Sequence, residues 1–510
     1  MNGNSRVRRS RKHEATIRPL RLVADWCRRC NSWPQTGVGL VLCVLAGSAG
    51  AVTTEFDVFR TNRTVPPSAA GALLGQSGVC EFGTIEQPLS LRETIERTLC
   101  NNPKTREAWA NVKVQAANVG VNKGAYLPTI SGNWQGVRDD STTDVTGQPQ
   151  LSSASRSFVR SETASLNWVL YDFGARSAAL ANAQELFAAA RANQDAVLQT
   201  AFAQAAKDYY AAEAAQGALE TAREVESDAN DSFKAATQRV DHGAAPITDA
   251  LQAQTAYAQA VFSRAKAEGD LQTALGTLAA DMALSPDTVI ALPAVAGGVT
   301  PDAEFEGSIA DLMDEAKRNH PSVVAAEAQL DAAAAKTRQT RAQGLPSISL
   351  VSKYSTNNQP ASLGLGVPTF PATGRDWYVG VQVTIPIFEG FVRNYQVRQA
   401  AAQTEVQRYT LDETKNQVGL DVWTAFQALK TATENVGNSM TLLDIAQRSE
   451  DAAQHRYEVG VGNILELLNA QSALATAKKQ RIQSLTDWRS ARLQLAGKLG
   501  RLGMGQIVGE

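Results

Sequence analysis

The sequence predicts a mainly α-helical chain that also carries four membrane-type β-strands, arranged as a two-fold internal repeat. Three observations predict this. Two stretches of more than 60 residues, after Gly174 and after Gly390, contain no Pro and are rich in Ala, which suits long, closely packed helices. Pairs of short segments alternate apolar and polar residues, as in Val379, Val381, Val383 and Ile385 against Gly380, Gln382 and Thr384. That is the pattern of a strand with one apolar face. Finally, the order of segments in the first half recurs in the second at a nearly constant offset, the signature of a duplicated unit.

Composition sets the bounds. The chain has 510 residues, room for two or three ordinary domains, and its 44% apolar content argues against wholesale disorder. No apolar run reaches the ~18–20 residues of a membrane-spanning helix, which excludes a polytopic helical membrane protein. The net charge of −2 hides an asymmetry: residues 1–51 carry nine Lys/Arg and two Asp/Glu, leaving 40 basic against 49 acidic residues in the rest. An acidic body argues against nucleic acid as a partner.

Residues 1–51 read as an export signal. Arg6, Arg8, Arg9, Arg11, Lys12, Arg18, Arg21, Arg28 and Arg29 precede a short apolar run from Val38 to Ala46, and Ala49-Gly50-Ala51 fits a cleavage site. Cleavage is expected after Ala51. Cys43 follows the bulky Leu42, and Leu45-Ala46-Gly47 ends in Ser48, so no lipid anchor is expected. An N-terminal extension, 52–87, follows. Only Cys80 and Cys100 remain after cleavage. An even count in an oxidising compartment permits one bridge, tying the extension to the first helix; the alternative is two free thiols.

The repeats span 88–284 and 307–500. Between them, 285–306 is a linker with Pro286, Pro293, Gly297, Gly298 and Pro301, and 501–510 is a tail. Asn102-Pro103 matches His320-Pro321, and Leu127-Pro128-Thr129-Ile130-Ser131 matches Leu345-Pro346-Ser347-Ile348-Ser349, both at an offset of 218. Leu170-Tyr171-Asp172 matches Ile387-Phe388-Glu389 at 217. Arg239-Val240-x-x-Gly243 matches Arg456-Tyr457-x-x-Gly460, and the eight residues from Ile247 match those from Ile464, again at 217.

Within each repeat a helix (89–124 or 307–343) ends at Leu-Pro. Two strands follow, at 128–138 and 157–171 or at 346–356 and 376–388, joined by polar Gly/Pro-rich loops. The long Pro-free helix then runs to Gly243 or Gly460, roughly 100 Å at ~1.5 Å per residue, and a return helix of about 40 residues completes the unit. Val418, Val422, Ala425, Leu429, Ala432, Val436 and Leu443 keep 3-4 spacing, and Ile464, Leu467, Gln471 and Leu474 continue it on the return helix.

Four amphipathic strands cannot close in lipid, because open edges leave backbone groups unsatisfied. Three copies of four strands would make twelve, within the range of membrane barrels, with the helices extending as a tube. The chain resembles the TolC-like outer membrane efflux proteins over about 88–500. The resemblance is carried by Leu91-x-x-x-Ile95-x-x-x-Leu99-x-Asn101-Asn102-Pro103, Leu127-Pro128, Leu170-Tyr171-Asp172-Phe173-Gly174, Ile387-Phe388-Glu389-Gly390 and Arg456-Tyr457-x-x-Gly460-x-x-x-Ile464-Leu465-Glu466-Leu467-Leu468. The Cys80/Cys100 arrangement and the missing lipobox look most like the branch serving type I secretion, such as the cyclolysin exporter.

The resemblance implies a homotrimer with a 12-stranded barrel in outer-membrane lipid and an α-helical barrel in the periplasm. It would be a passive duct working with a periplasmic adaptor and an inner-membrane transporter, of ABC type for this branch. The turns at Gly243 and Gly460 would form the periplasmic tip and dock the adaptor. Asp249 and Glu466 would form acidic rings around a constriction, favouring cations; Asn469 stands where a second acid is common. Tyr457, Thr248 and Asp249 match positions that link neighbouring helices in the closed state. Gly462 occupies a position that can be Arg in relatives. Without the resemblance, Asp249 and Glu466 read as solvated helix charges, Tyr457 as a packing aromatic and the turn glycines as helix caps. Trp377, Tyr378, Trp168 and Tyr171 at strand ends suit either a membrane interface or core packing.

Enzyme readings find no support. The four His (His13, His242, His320, His455) have no zinc-ligand spacing, there is no HExxH or P-loop, and Gly364-Leu365-Gly366 lacks a third glycine. Neither a cofactor nor a metal is expected. The competing readings are a duct for small-molecule efflux and a coiled-coil scaffold of the cell envelope.

Overall fold

The structure is a computed structural model that describes residues 57–70, 80–85, 87–293, 308–361, 364, 367 and 369–503. The expected export signal and most of the expected linker and tail lie outside the described residues. All that follows concerns the unit Phe59–Glu510.

Among the described residues, eight α-helices and four strands follow in order, besides two short 3-10 turns at Thr61–Thr64 and Pro149–Leu151. They are α1 (Leu91–Asn101), α2 (Pro103–Gly124), β1 (Thr129–Thr143), β2 (Ser153–Tyr171), α3 (Ala175–Asp241), α4 (Ile247–Asp281), α5 (Ile309–Asn319), α6 (Pro321–Ala342), β3 (Ser347–Asn357), β4 (Gly374–Thr384), α7 (Val392–Glu458) and α8 (Ile464–Lys498). The helices are 11, 22, 67 and 35 residues long in the first half and 11, 22, 67 and 35 in the second.

The first helix of each half is broken where the sequence predicts one continuous helix. Pro103 has no N–H to give, and a residue before proline is pushed out of the helical region. Asn102 accordingly sits at ψ 130° and His320 at ψ 132°. Each then caps the helix it precedes. The Asn102 side chain accepts from the Lys104 N–H at 3.0 Å, and His320 Nδ1 accepts from the Ser322 N–H at 3.2 Å. Upstream, Ser90 accepts from the Glu93 N–H at 3.2 Å and starts α1.

The 67-residue helices run about 100 Å at ~1.5 Å per residue. Their seams follow the predicted spacing. Val418, Val422, Leu429, Ala432 and Val436 of α7 and Ile464, Leu467 and Leu474 of α8 are buried. Gln471, in the same register, instead donates to the Ser232 hydroxyl of α3 at 3.2 Å, which fastens the second hairpin to the first.

The main core of the first half gathers Ile95, Leu99, Leu198, Phe202, Leu278 and Met282. The extension packs along it: Trp109 donates to the Pro66 carbonyl at 2.9 Å, Gln194 donates to the Ala69 carbonyl at 3.1 Å, and a disulfide joins Cys80 to Cys100. The first residues after α8 are also docked. Leu502 is buried, and its backbone exchanges two hydrogen bonds of 3.1 Å with the Gln199 side chain.

Candidate functional site

The two ends of the molecule carry its unusual chemistry, and the sheet is the first. Its four strands are antiparallel in the order β1-β2-β3-β4. Directly opposed residues put their side chains on the same face, so the register sorts the sheet. The row Ile130–Leu166–Ser352–Val379 and the row Trp168–Leu350–Val381 lie on one face, with Tyr354–Trp377 and Ile348–Val383 above and below them. The opposite face carries rows such as Ser131–Ser165–Lys353 and Asn133–Thr163–Ser355. The apolar face is uncovered: Ile130 is 77% exposed, Trp377 72% and Val381 63%. From Trp377 to Val383 it is about 20 Å tall at ~3.3 Å per residue.

The strands of the first half are longer than the sequence predicts, with β1 reaching Thr143 and β2 beginning at Ser153. Their outer rows are polar, including the Arg156–Asp140 ion pair at 2.8 Å. The strand-end aromatics Trp168, Tyr171, Trp377 and Tyr378 all remain substantially exposed. Trp168, Tyr171 and Trp377 lie on the apolar face, Tyr378 on the polar one. Trp168 keeps its N–H satisfied by the Tyr126 carbonyl at 2.9 Å.

Tight bends turn strand into long helix. Phe173 (φ +50°) and Gly174 (φ +93°) form the first, Gly390 (φ +60°) and Phe391 (φ +63°) the second. An ion pair braces each: Arg176–Asp172 at 2.9 Å and Arg393–Glu389 at 3.0 Å. Arg176 also donates to the Val169 carbonyl at 2.7 Å and lies 4.8 Å from the centre of the Tyr126 ring.

At the far end the long helices turn back. Gly243 (φ +70°) follows α3, and Gly460 (φ +81°) follows α7. The left-handed conformation lets the Ala244 N–H reach the Arg239 carbonyl at 2.8 Å and the Val461 N–H reach the Arg456 carbonyl at 3.0 Å, closing each helix. In the second turn Gly462 packs against the backbone: a Cβ there would lie 3.0 Å from the Arg456 carbonyl carbon and the Tyr457 nitrogen. A side chain at this position would need that backbone to give by a few tenths of an ångström.

Two arginines organise the turn end. Arg239 of α3 donates to the Tyr457 carbonyl at 2.8 Å and lies 4.8 Å from the centre of the Tyr457 ring. It thereby joins one hairpin to the other over a small core of Ala236, Ala253, Tyr457, Ile464 and Leu467. Burial pushes the Tyr457 phenol pKa up, the Arg239 guanidinium pulls the other way, and the Asp249 carboxylate adds to the rise. Arg456 reaches within its own hairpin to Glu466, Nε to Oε1 3.1 Å, with both side chains about half exposed. Asn463 caps α8 by accepting from the Glu466 N–H at 2.8 Å, which fixes where the Glu466 side chain begins.

Of the residues singled out in the sequence, Tyr457 and Asp249 are therefore brought together, and Glu466 is paired. Thr248 on the first turn of α4 and Asn469 on the second turn of α8 stand exposed. Arg239 and Arg456 were not among the candidates. The signal for them was present, since the same Arg-x-x-x-Gly precedes both turns, but it marked the repeat rather than a contact. The arrangement offers fixed charge and interlocking helix ends. Among the described residues no group of three or more His, Cys, Asp or Glu could hold a metal ion.

Between the two ends, at the breaks, lie two titratable junctions. Near Asn102, burial and the neighbouring Asp208 carboxylate raise the Asp281 pKa to about 7, with Lys104 opposing. At the second break, burial lowers the His320 pKa, Lys498 lowers it further and Asp421 opposes. Lys498 is itself paired with Asp421 at 2.6 Å.

Comparison with known proteins places this geometry. The family described as outer membrane efflux protein matches residues 94–283 and again 312–501. Protein CyaE of Bordetella pertussis is 31% identical over 424 residues, 83% of this chain and 86% of the relative. Outer membrane efflux protein BepC of Brucella suis is 25% identical over 460 residues, 89% of this chain and 93% of the relative. Among solved structures, the CmeC outer membrane channel of Campylobacter jejuni superposes with a TM-score of 0.69 at 15% identity, covering 82% of this chain and 88% of that one.

Proposed function

The chain belongs to the outer membrane efflux protein family, and on that premise we propose that it is the exit duct of a tripartite export machine for type I secretion of a protein. It is an outer-membrane transport conduit and not an enzyme, and its helical part lies in the periplasm. The observation that carries the duct reading is the sheet: one uncovered apolar face, one polar face and two open edges. Lipid is the solvent that such a face fits, and barrel closure is the way to satisfy its edges. Three copies of the four strands supply a twelve-stranded barrel, and the two halves of each chain read as a duplicated unit. The similarity to CyaE over most of both chains supports the type I branch.

In this reading residues 1–51 are removed on export, 52–87 are an N-terminal extension, and 88–284 and 307–500 are the duplicated halves joined by 285–306, with 501–510 as the tail. Asp249, Glu466, Asn469 and Thr248 line the constriction of a gate at the helical tip, with Tyr457 packed behind them as the gate residue that links neighbouring helices. The Gly243 and Gly460 turns meet a periplasmic adaptor, which links the duct to an energised inner-membrane transporter of ABC type.

The test is single-channel recording in planar bilayers with protein extracted from outer membranes, wild type beside Glu466→Ala. Discrete small openings that change with the substitution support a duct gated near Glu466. Openings that do not change keep the duct and move its gate. A folded, membrane-extracted protein that opens neither alone nor with its adaptor is a scaffold. Efflux of small molecules is the second reading, favoured by the similarity to BepC, whose name marks it as an efflux protein. Loss of protein secretion without loss of drug tolerance on deletion separates the two.

A further inference from the structure

We propose that Arg456 sets the charge of the constriction: by pairing with Glu466 of its own chain it turns a ring of negative charges into a ring of ion pairs with no net charge. The proposal rests on the duct reading for its consequence, but its physical content lies within one chain.

Three observations carry it. The Arg456 Nε and Glu466 Oε1 atoms are 3.1 Å apart, well inside the screening length of ~8 Å at physiological salt. An ion that is within the screening length but well beyond that spacing meets both charges together and responds to their sum. Glu466 is held in place by the start of α8, because its N–H is bound by the Asn463 cap. Arg456 is held on the last turn of α7, where its carbonyl receives both the Val461 and the Gly462 N–H. The backbone of each partner is thus set by a helix end, which keeps the roots of the two side chains within pairing reach. Third, the residue one turn further along α8 is the neutral Asn469, so no second carboxylate restores the negative potential at that level.

The first turn shows that this is a feature of one hairpin and not of both. Arg239 and Asp249 occupy the corresponding sequence positions, but Arg239 is committed to the Tyr457 carbonyl and ring. The Asp249 carboxylate therefore has no such partner on its own hairpin, and the two hairpins contribute differently to the field at the tip. Stability is not the issue: an exposed pair contributes about 0–1 kcal/mol. What matters is that Arg456 is present at all, since fixed charge within a narrow passage selects ions whatever the strength of the pair.

The experiment reads the local potential without requiring the duct to open. Full-length protein carrying Asn469→Cys is purified in detergent, and the thiol is modified with a positively and a negatively charged methanethiosulfonate reagent. The ratio of the two rates is measured in that background, with added Arg456→Gln, with added Glu466→Gln and with both. The background ratio is the reference, since the Asp249 carboxylate is common to all four proteins. Arg456→Gln shifts it about threefold or more toward the cationic reagent and Glu466→Gln shifts it the opposite way, while the double variant returns to the background value. The shifts shrink in 1 M salt, where the screening length falls to ~3 Å. A ratio unmoved by Arg456→Gln overturns the proposal. So does a double variant that differs from the background as much as either single one. Bilayer recordings of the same proteins test the duct separately. If they conduct, Arg456→Gln makes the openings more cation-selective; if none conducts even with adaptor, the duct reading fails while the labelling ratio still decides the pairing.

Discussion

The first and second halves of the chain share a backbone plan and differ in what they place on it. Helices of the same four lengths occur in the same order, yet residues 217 positions apart do different work. Phe202 fills the first core and is fully buried, whereas position 419 is a glycine whose absent side chain leaves room for Lys317 and Met313. Ala245 in the first turn corresponds to the tightly packed Gly462 in the second. Asp281 beside Asp208 corresponds to Lys498 paired with Asp421. The backbone follows from length, proline position and helix seams; which contacts lock it is decided separately in each half. Differences between equivalent positions are therefore better markers of local function than the shared motifs are.

The largest expected contrast is in the cores. Phe202→Ala removes a fully buried aromatic and should cost about 3–5 kcal/mol. Gly419→Ala should change stability by less than about 1 kcal/mol, in the favourable direction, because glycine is ~1 kcal/mol worse than alanine inside a helix and the obstructing Lys317 atom is the end of a flexible chain. Thermal or denaturant unfolding of the purified proteins measures both, and similar losses at the two sites would erase the distinction. Next come the turns. Gly462→Ala drives a Cβ against backbone and should cost about 1–3 kcal/mol, while Ala245→Gly should stay within about 1 kcal/mol. Equal effects would mean that the two turns are equally tight.

The junctions should answer pH with opposite signs. Asp281 has a folded pKa raised from 3.8 to about 7. The folded state there binds more protons than the unfolded, so the first junction loses stability as pH rises from about 4 to 7. His320 is held below its ordinary 6.5, so the second junction loses stability as pH falls through 6.5. Because Asp281 is half exposed, the effect should be about 1 kcal/mol. Hydrogen exchange at the starts of α2 and α6, corrected for intrinsic rate and compared at pH 5 and pH 8, reads both signs, and Asp281→Asn should abolish the first. Parallel responses would contradict the assignment. The smallest difference is at the tip. Arg456→Ala should shift stability by no more than about 0.5 kcal/mol, against about 1–1.5 kcal/mol for Arg239→Ala, which loses a hydrogen bond to the backbone of buried Tyr457. Paired melting curves separate them.

Much of this was legible in the sequence, for physical reasons that differ by element. The long helices announced themselves because proline is absent and the seam residues keep 3-4 spacing, and from Val418 to Val436 every seam residue but the partly buried Ala425 is buried. The strands announced themselves where they alternate. The upper part of β1, Arg138 to Thr143, is polar on both faces and gave no pattern, although it pairs with β2 to its end. The helix breaks carried a signal in Asn102-Pro103 and His320-Pro321, which lie well inside the predicted helices where a proline ends or kinks a helix, but those prolines marked the repeat and the helices were read as continuous. The contacts at the tip were not legible. Arg239 and Tyr457 are 218 positions apart, and no local spacing says that one guanidinium crosses to the other hairpin while its counterpart stays at home.

The two open strand edges also have a genetic consequence. A lone copy cannot retreat into lipid with backbone groups unpaired along β1 and β4, so a subunit contributes to a finished barrel or to nothing. If three copies close each ring, one copy with a damaged edge spoils the whole. A cell making equal amounts of sound and damaged chains would keep only about one ring in eight intact. Edge lesions, such as proline in the middle of β4, should thus behave as dominant alleles when expressed beside the wild-type gene. Lesions that prevent export altogether never reach the ring and should be recessive.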